Sequence, residues 1–187
     1  KSRFQVKKKS QMQTKKIDSI ISDHVDFIKI DAQGGELEIL KGAMGCLDNV
    51  LGLEVELGIA EIYKKQPLHS DVIQLIEECG FVFIVFTVLR RWERHDLNTT
   101  FGQLVFGDGL FLRQPEYILS NFSDDKSVIK KYISVCCLYN RYDLIKVLTR
   151  AIEQDRETVD ALKCLVKRFN RFATLRRYCY VLARALG

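Results

Sequence analysis

The sequence predicts an α/β fold: a parallel sheet that ends in an antiparallel strand pair, with an all-helical extension behind it. The stretch Val25–Leu40 runs from an apolar strand through a glycine pair into an amphipathic helix. Two further strand patterns, Val50–Leu57 and Phe81–Leu89, flank a second helical pattern at Asp71–Cys79. After Pro115 the strand signal stops, and residues 124–187 show one helical period after another without proline.

Residues 1–16 are polar and basic, and Phe4 and Val6 predict a short edge strand there. Ile17–Ser22 reads as a short helical approach. In the strand Asp26–Asp31, Lys29 and Asp31 alternate with Ile28 and Ile30, so both charges share one face. Core strands rarely carry two charges unless something uses or pairs them. Gly34–Gly35 is the turn. The helix Glu36–Met44 has Leu37, Leu40 and Met44 on one side, and Glu36 and Glu38 sit where the helix dipole favours acids.

The strand Val50–Leu57 repeats the alternation, with Glu54 and Glu56 between Leu53, Val55 and Leu57. A loop Gly58–Gln66 precedes Pro67. Ser70 is the expected N-cap of the helix Asp71–Cys79, with Val72, Leu75, Ile76 and Cys79 as its buried stripe. Gly80 suits the residue after a helix end. Phe81–Leu89 is a long apolar strand. Arg90–Gly102 reads as a charged loop with the only Trp. Gln103–Phe106 and Gly109–Arg113 read as short strands around a Gly107-Asp108-Gly109 turn. Helices are expected over 125–139, 141–153 and 157–185, with breaks at Asn140 and Gln154-Asp155. The first two suit an αα-hairpin. The organisation expected is a basic segment 1–16, a body 17–115 and a helical extension 116–187.

A chain of 187 residues suits one domain, or a small domain with an appendage. No apolar run approaches the ~20 residues of a membrane-spanning helix, and no apolar h-region follows the basic start. The chain begins without Met, as a fragment or processed chain would. The formal charge of +5 is uneven: residues 1–16 and 161–187 each hold seven Lys/Arg and no acid, leaving 15 basic against 24 acidic residues between them. Cysteines at 46, 79, 136, 137, 164 and 179 form no C-x-x-C pair, and His24, His69 and His95 do not cluster with them. Reduced thiols, a cytoplasmic location and no metal site are therefore expected.

Leu162, Leu165, Phe169, Phe172, Leu175, Cys179 and Leu182 recur at steps of three or four, surrounded by Lys and Arg. This is a basic amphipathic helix pattern. Packing on its own domain with a solvated basic face is the preferred reading. Peripheral contact of 161–187 with an anionic membrane surface, or with acidic cargo, is the alternative. An acidic body without a recognised module argues against nucleic acid.

The runs DFIKIDAQGGELEILKGA, LEVELGIAEIYKKQPLHSDVIQLIEECGF and GDGLFLR closely resemble the later half of FkbM-type S-adenosylmethionine-dependent methyltransferases. The first is similar to that family's K-I-D-x-[EQ]-G-x-E-x-x-x-L-K-G-A signature. The likeness covers roughly Thr14 to Arg113. It implies a partial Rossmann-like methyltransferase sheet, strands four to seven with the last antiparallel. It also implies S-adenosylmethionine as cofactor and, as acceptor, a hydroxyl of a sugar or secondary metabolite, whether small molecule or glycan.

The family's front half carries a glycine-rich cofactor loop. None precedes Ile17, and Gly34–Gly35 matches the strand-four motif instead. The chain is expected either to be a truncated form or to take its front half from elsewhere. A sheet lacking strands exposes an edge, so self-pairing into a homo-oligomer or aggregation is expected.

In the implied site, Asp31 and Glu56 line the acceptor pocket as catalytic candidates. Lys29 and Glu54 lie deeper and pair. Lys29, Glu36, Glu54 and Tyr63 are substrate-binding candidates, while Gln33 and Gly34 offer backbone groups to cofactor or substrate. Simpler structural readings stand beside these. The charges form an ion-pair layer that fixes the sheet, Gln33–Gly35 is turn chemistry, Glu36 is a helix N-terminal acid, and Tyr63 packs on its own loop. Arg90, Arg91, Trp92, Arg94 and His95 read as a solvated loop before a substrate grip. Asp108 reads as a hairpin turn before a site residue. The competing function is a non-catalytic or degenerate domain that acts in assembly or membrane contact through its basic tail.

Overall fold

The computed structural model describes residues 10–21, 23–93 and 102–151. The edge strand expected at Phe4 and Val6, the third C-terminal helix, the basic tail 161–187, and Arg94 and His95 lie outside them. The strands are β1 (Phe27–Ile30), β2 (Gly52–Gly58), β3 (Val82–Trp92) and β4 (Gln103–Leu112). The helices are α1 (Glu36–Lys41), α2 (His69–Glu78), α3 (Pro115–Phe122), α4 (Lys126–Leu138) and α5 (Tyr142–Ala151). The four strands form one sheet in the order β1-β2-β4-β3. The chain divides into two compact units: residues 1–79 with 85–110, and 80–84 with 111–187.

In the first unit β1 and β2 run parallel, with Lys29 opposite Glu54 and Ile30 opposite Val55. That register places the charged positions of both strands on one face and the apolar positions on the other. On the apolar face Ile30, Leu53, Val55 and Leu57 are buried. Helix α2 packs on β2 and on α1, and buries Val72 and Ile76, while α1 buries Leu40. A 3-10 turn at Ile17–Ser19 precedes β1. Its Asp18 carboxylate accepts from the backbone N–H of Gly45 and of Cys46, both at 3.1 Å. Those donors follow the end of α1 and are capped by a residue distant in sequence.

Helix α1 is shorter than expected, because it closes at Gly42 before reaching Met44. Met44 is 43% exposed, and Ala43 and Leu47 are buried instead. The start of α2 also differs. Leu68, not Ser70, is the N-cap, and Asp71 in the first turn reaches back to accept from the Leu68 N–H at 3.0 Å. Gly80 follows α2 at φ +82, the left-handed conformation that glycine tolerates.

The Gly107-Asp108-Gly109 turn does not form. These residues lie inside one continuous strand, β4. Arg91 donates to the carbonyl of Gly102, Thr87 to that of Asp108, and Gly107 lies against the carbonyl of Val88. The paired numbers run in opposite directions, so β3 and β4 are antiparallel. A Cβ on Gly107 would stand 2.6 Å from the Val88 oxygen. The glycine serves close strand approach rather than chain reversal. β3 is longer than expected as well and takes in Arg90, Arg91 and Trp92, which the sequence suggested were loop.

The second unit holds three helices that pack on one another. α3 was not anticipated, and it starts with Pro115 at its first position, where proline is pre-organised for a helix. The Asp125 side chain caps α4 by accepting from Ser127 N–H and Val128 N–H at 2.9 and 3.1 Å. Asn140, at φ 58, turns the chain from α4 into α5, at the break expected there. Arg113 is buried, and its guanidinium stacks between the rings of Phe81 and Tyr117, 3.9 and 4.1 Å from their centroids. The Tyr132 hydroxyl donates to the Arg113 carbonyl at 2.7 Å.

Four cysteines among the described residues, Cys46, Cys79, Cys136 and Cys137, are in no disulfide. Burial pushes the Cys136 thiol up to about 12, which keeps it protonated and unreactive. Among the described residues no helix is long and apolar enough to cross a membrane.

Candidate active site

The charged face of β1 and β2 meets β4 in the first unit. Lys29 Nζ donates to Glu54 Oε1, its register partner on β2, and to Asp108 Oδ2 on β4 at 3.1 Å. The lysine side chain is 51% exposed, while those of Glu54 and Asp108 are 12% and 14% exposed. A solvated stem therefore carries its ammonium down between two sheltered carboxylates. The Glu54 bond, foremost, and then Asp108 hold the Lys29 ammonium well above the ordinary lysine range. It is a fixed cation at neutral pH.

Glu56 lies two residues beyond Glu54 on the same face and is half-buried. Its carboxyl is pushed up to about 7. Burial is the main cause, followed by the negative charges of Asp31, Glu36 and Asp108, and Lys29 opposes them weakly. The structure thus brings Asp31, at the exposed carboxyl end of β1, within electrostatic reach of Glu56. A carboxyl that titrates near neutrality can both take and return a proton in the working pH range.

Glu36 is buried, and the loop before α1 wraps its carboxylate. It accepts from the N–H of Ala32 at 2.9 Å and from that of Gly34 at 2.9 and 3.1 Å. Gln33 and Gly34 make this possible with φ of 53 and 102. Tyr63 comes from the loop after β2, and its hydroxyl donates to Gln33 Oε1 at 2.9 Å. Gln66 organises that second loop by accepting from Ile62 N–H and Tyr63 N–H at 3.1 and 3.2 Å. Two loops that follow the carboxyl ends of neighbouring parallel strands are thereby joined. In open α/β sheets ligands sit beyond such strand ends.

Residues 2–83 match the family of the Methyltransferase FkbM domain. The FkbM stretch contains the positions favoured from the sequence as site residues: Lys29, Asp31, Gln33, Gly34, Glu36, Glu54, Glu56 and Tyr63. Asp108 lies beyond it. No curated protein and no solved structure matches the chain.

The sequence ranked Asp108 as a hairpin-turn residue before a site residue, and it did not point to Gln66. The Gly107-Asp108-Gly109 run suggests a turn, and its place inside β4 shows only through contacts with β3. Gln66 gave no signal, since its role depends on how the loop folds back.

Proposed function

We propose that this chain carries the acceptor-binding part of an S-adenosylmethionine-dependent O-methyltransferase, acting on a hydroxyl of a sugar or other small polyol. The observation that carries the reading is Glu56: a half-buried carboxyl raised to about 7, beside Asp31 at a parallel strand end, inside the FkbM match. The strand order, with the last strand set between β2 and β3, supports a Rossmann-like methyltransferase sheet whose members correspond to strands four to seven.

The residues present fit a sulfonium donor in charge. Asp31 is exposed, and Asp31, Glu36 and Asp108 are each near enough to Glu56 to act on it electrostatically. Bound S-adenosylmethionine supplies a methyl carbon made electrophilic by positive sulfur, which keeps the electron pair when the C–S bond breaks. Gln33 and Gly34, at the end of β1, are the positions that would hold it. Asp31 and Tyr63 orient the acceptor, and Glu56 takes the hydroxyl proton as the acceptor oxygen forms its bond to carbon. Orientation and proton removal are the two contributions a protein makes to such an in-line displacement.

The test is transfer of labelled methyl from S-adenosylmethionine to a panel of sugar and polyol hydroxyls, with Glu56→Gln beside the unaltered protein. Loss of a positioned base lowers the rate by about 10²–10⁴-fold. Transfer at an undiminished rate by the Glu56→Gln protein would sink the assignment.

A further inference from the structure

We propose that Asp108 is a positioning residue of this site: together with Glu54 it pins the Lys29 ammonium over β2, away from Glu56, and so leaves Glu56 free to receive a proton. The inference rests on Glu56 as the base and adds a residue from outside the FkbM match.

Lys29 stands on β1, Glu54 on β2 and Asp108 on β4, which are successive neighbours in the sheet. Neighbouring strands are about 4.8 Å apart, so β1 and β4 are separated by roughly 10 Å. The Lys29 side chain must lean across Glu54 to reach Asp108, and its 3.1 Å bond there fixes the direction of the lean. Without Asp108, Glu54 alone would hold the ammonium. A flexible lysine stem with one partner can swing along the face toward Glu56 and Asp31.

The groups that act on Glu56 come from each neighbouring element. Asp31 and Lys29 belong to β1 or its end, Glu36 to α1 and Asp108 to β4. Of the charges acting on Glu56, Lys29 has the smallest effect, although it is the only cation among them. A lysine tied to two other carboxylates accounts for that weakness. Were Lys29 to move onto Glu56, the pair would favour the ionised carboxylate, lower its proton affinity and so make Glu56 a weaker base.

Asp108→Asn in the full chain tests the idea through the Glu56 titration, read by carbon-13 NMR of labelled glutamate carboxyls and assigned with Glu56→Gln. The expected result is a downward shift on the order of one pH unit. Part of any shift is the direct loss of a neighbouring negative charge, so the same change is made in a Lys29→Gln background. There the shift should shrink to less than half. An equal shift in both backgrounds would overturn the positioning role, as would no shift in either.

Should Asp108→Asn fail to fold, proton exchange at the Lys29 ammonium of the unaltered protein decides. A pinned ammonium exchanges slowly enough to give a nitrogen-15 signal, and exchange as fast as at an exposed lysine counts against the proposal. None of these readouts needs methyl transfer. A full-rate Glu56→Gln enzyme beside a normal Asp108→Asn shift would discard the base while retaining the Lys29 clamp.

Discussion

The two units each hold a cation in a cluster of chosen partners, and they do so in opposite ways. Lys29 keeps its stem in water and places its ammonium between two sheltered carboxylates. Arg113 is buried entirely and lies between two aromatic rings. A compact ammonium on a flexible stem can be redirected by its neighbours' charges. A planar guanidinium between rings is held by shape and by the quadrupoles of those rings. The first arrangement suits a site whose proton affinity matters, and the second suits a joint that must not move. Nearby groups follow the same division. Glu56, on the charged face that carries Lys29, titrates near 7, whereas burial drives the Tyr132 hydroxyl, bonded to the Arg113 carbonyl, well above its ordinary range.

The largest expected effect tests the structural half of this contrast. Arg113→Ala removes both ring contacts and leaves a buried void, so it should cost about 3 kcal/mol or more of stability. Urea denaturation of the full chain measures it. A loss under about 1 kcal/mol, the range of surface charge changes, would mean that Arg113 is not a joint at all. Tyr132→Phe is the gentler version. It leaves the Arg113 carbonyl without the 2.7 Å bond it accepts and keeps the ring in place. A cost of about 1–2 kcal/mol is expected, with no change in the Glu56 titration. If Tyr132→Phe moved that titration, the two regions would not be independent.

How much of this was legible in the residues follows from range. The β1 strand, its turn and the acids of β2 are local patterns of period two, and Lys29–Glu54 pairing follows from neighbouring strands with matching alternation. Asp108 was obscured because glycine has two uses. Only the carbonyl of Val88, from another strand, shows that Gly107 serves close packing. α3 had proline at the right position but only eight residues of period. Arg113 could not be read as buried, since arginine is ordinarily exposed and both its rings lie elsewhere in the sequence. Glu36 was read from its place on the helix, yet its partners are set by the positive φ of Gln33 and Gly34. Sequence patterns located the charged face, and the loops and cross-strand contacts that decide what each acid does arise from tertiary packing.

The smallest expected effect concerns the polar half, where pH gives the sign. The Glu56 carboxyl is raised from 4.5 to about 7, so the folded protein holds this proton more tightly than the unfolded chain does. Its contribution to stability is therefore fully present below about pH 4.5, shrinks as pH rises toward 7, and is gone above that. Solvent at a half-buried carboxyl limits the change to about 1 kcal/mol. Glu56→Gln removes the titration, so the difference in urea midpoint between variant and unaltered protein should widen from pH 5 to pH 8, with the variant the more stable at pH 8. Other acids, such as Asp143, whose pKa Arg141 holds down, titrate equally in both proteins and cancel in that difference. A difference that stayed constant across the interval would place Glu56 among ordinary carboxylates. Lys29 would then be one more surface cation, and the contrast with Arg113 would be one of burial alone.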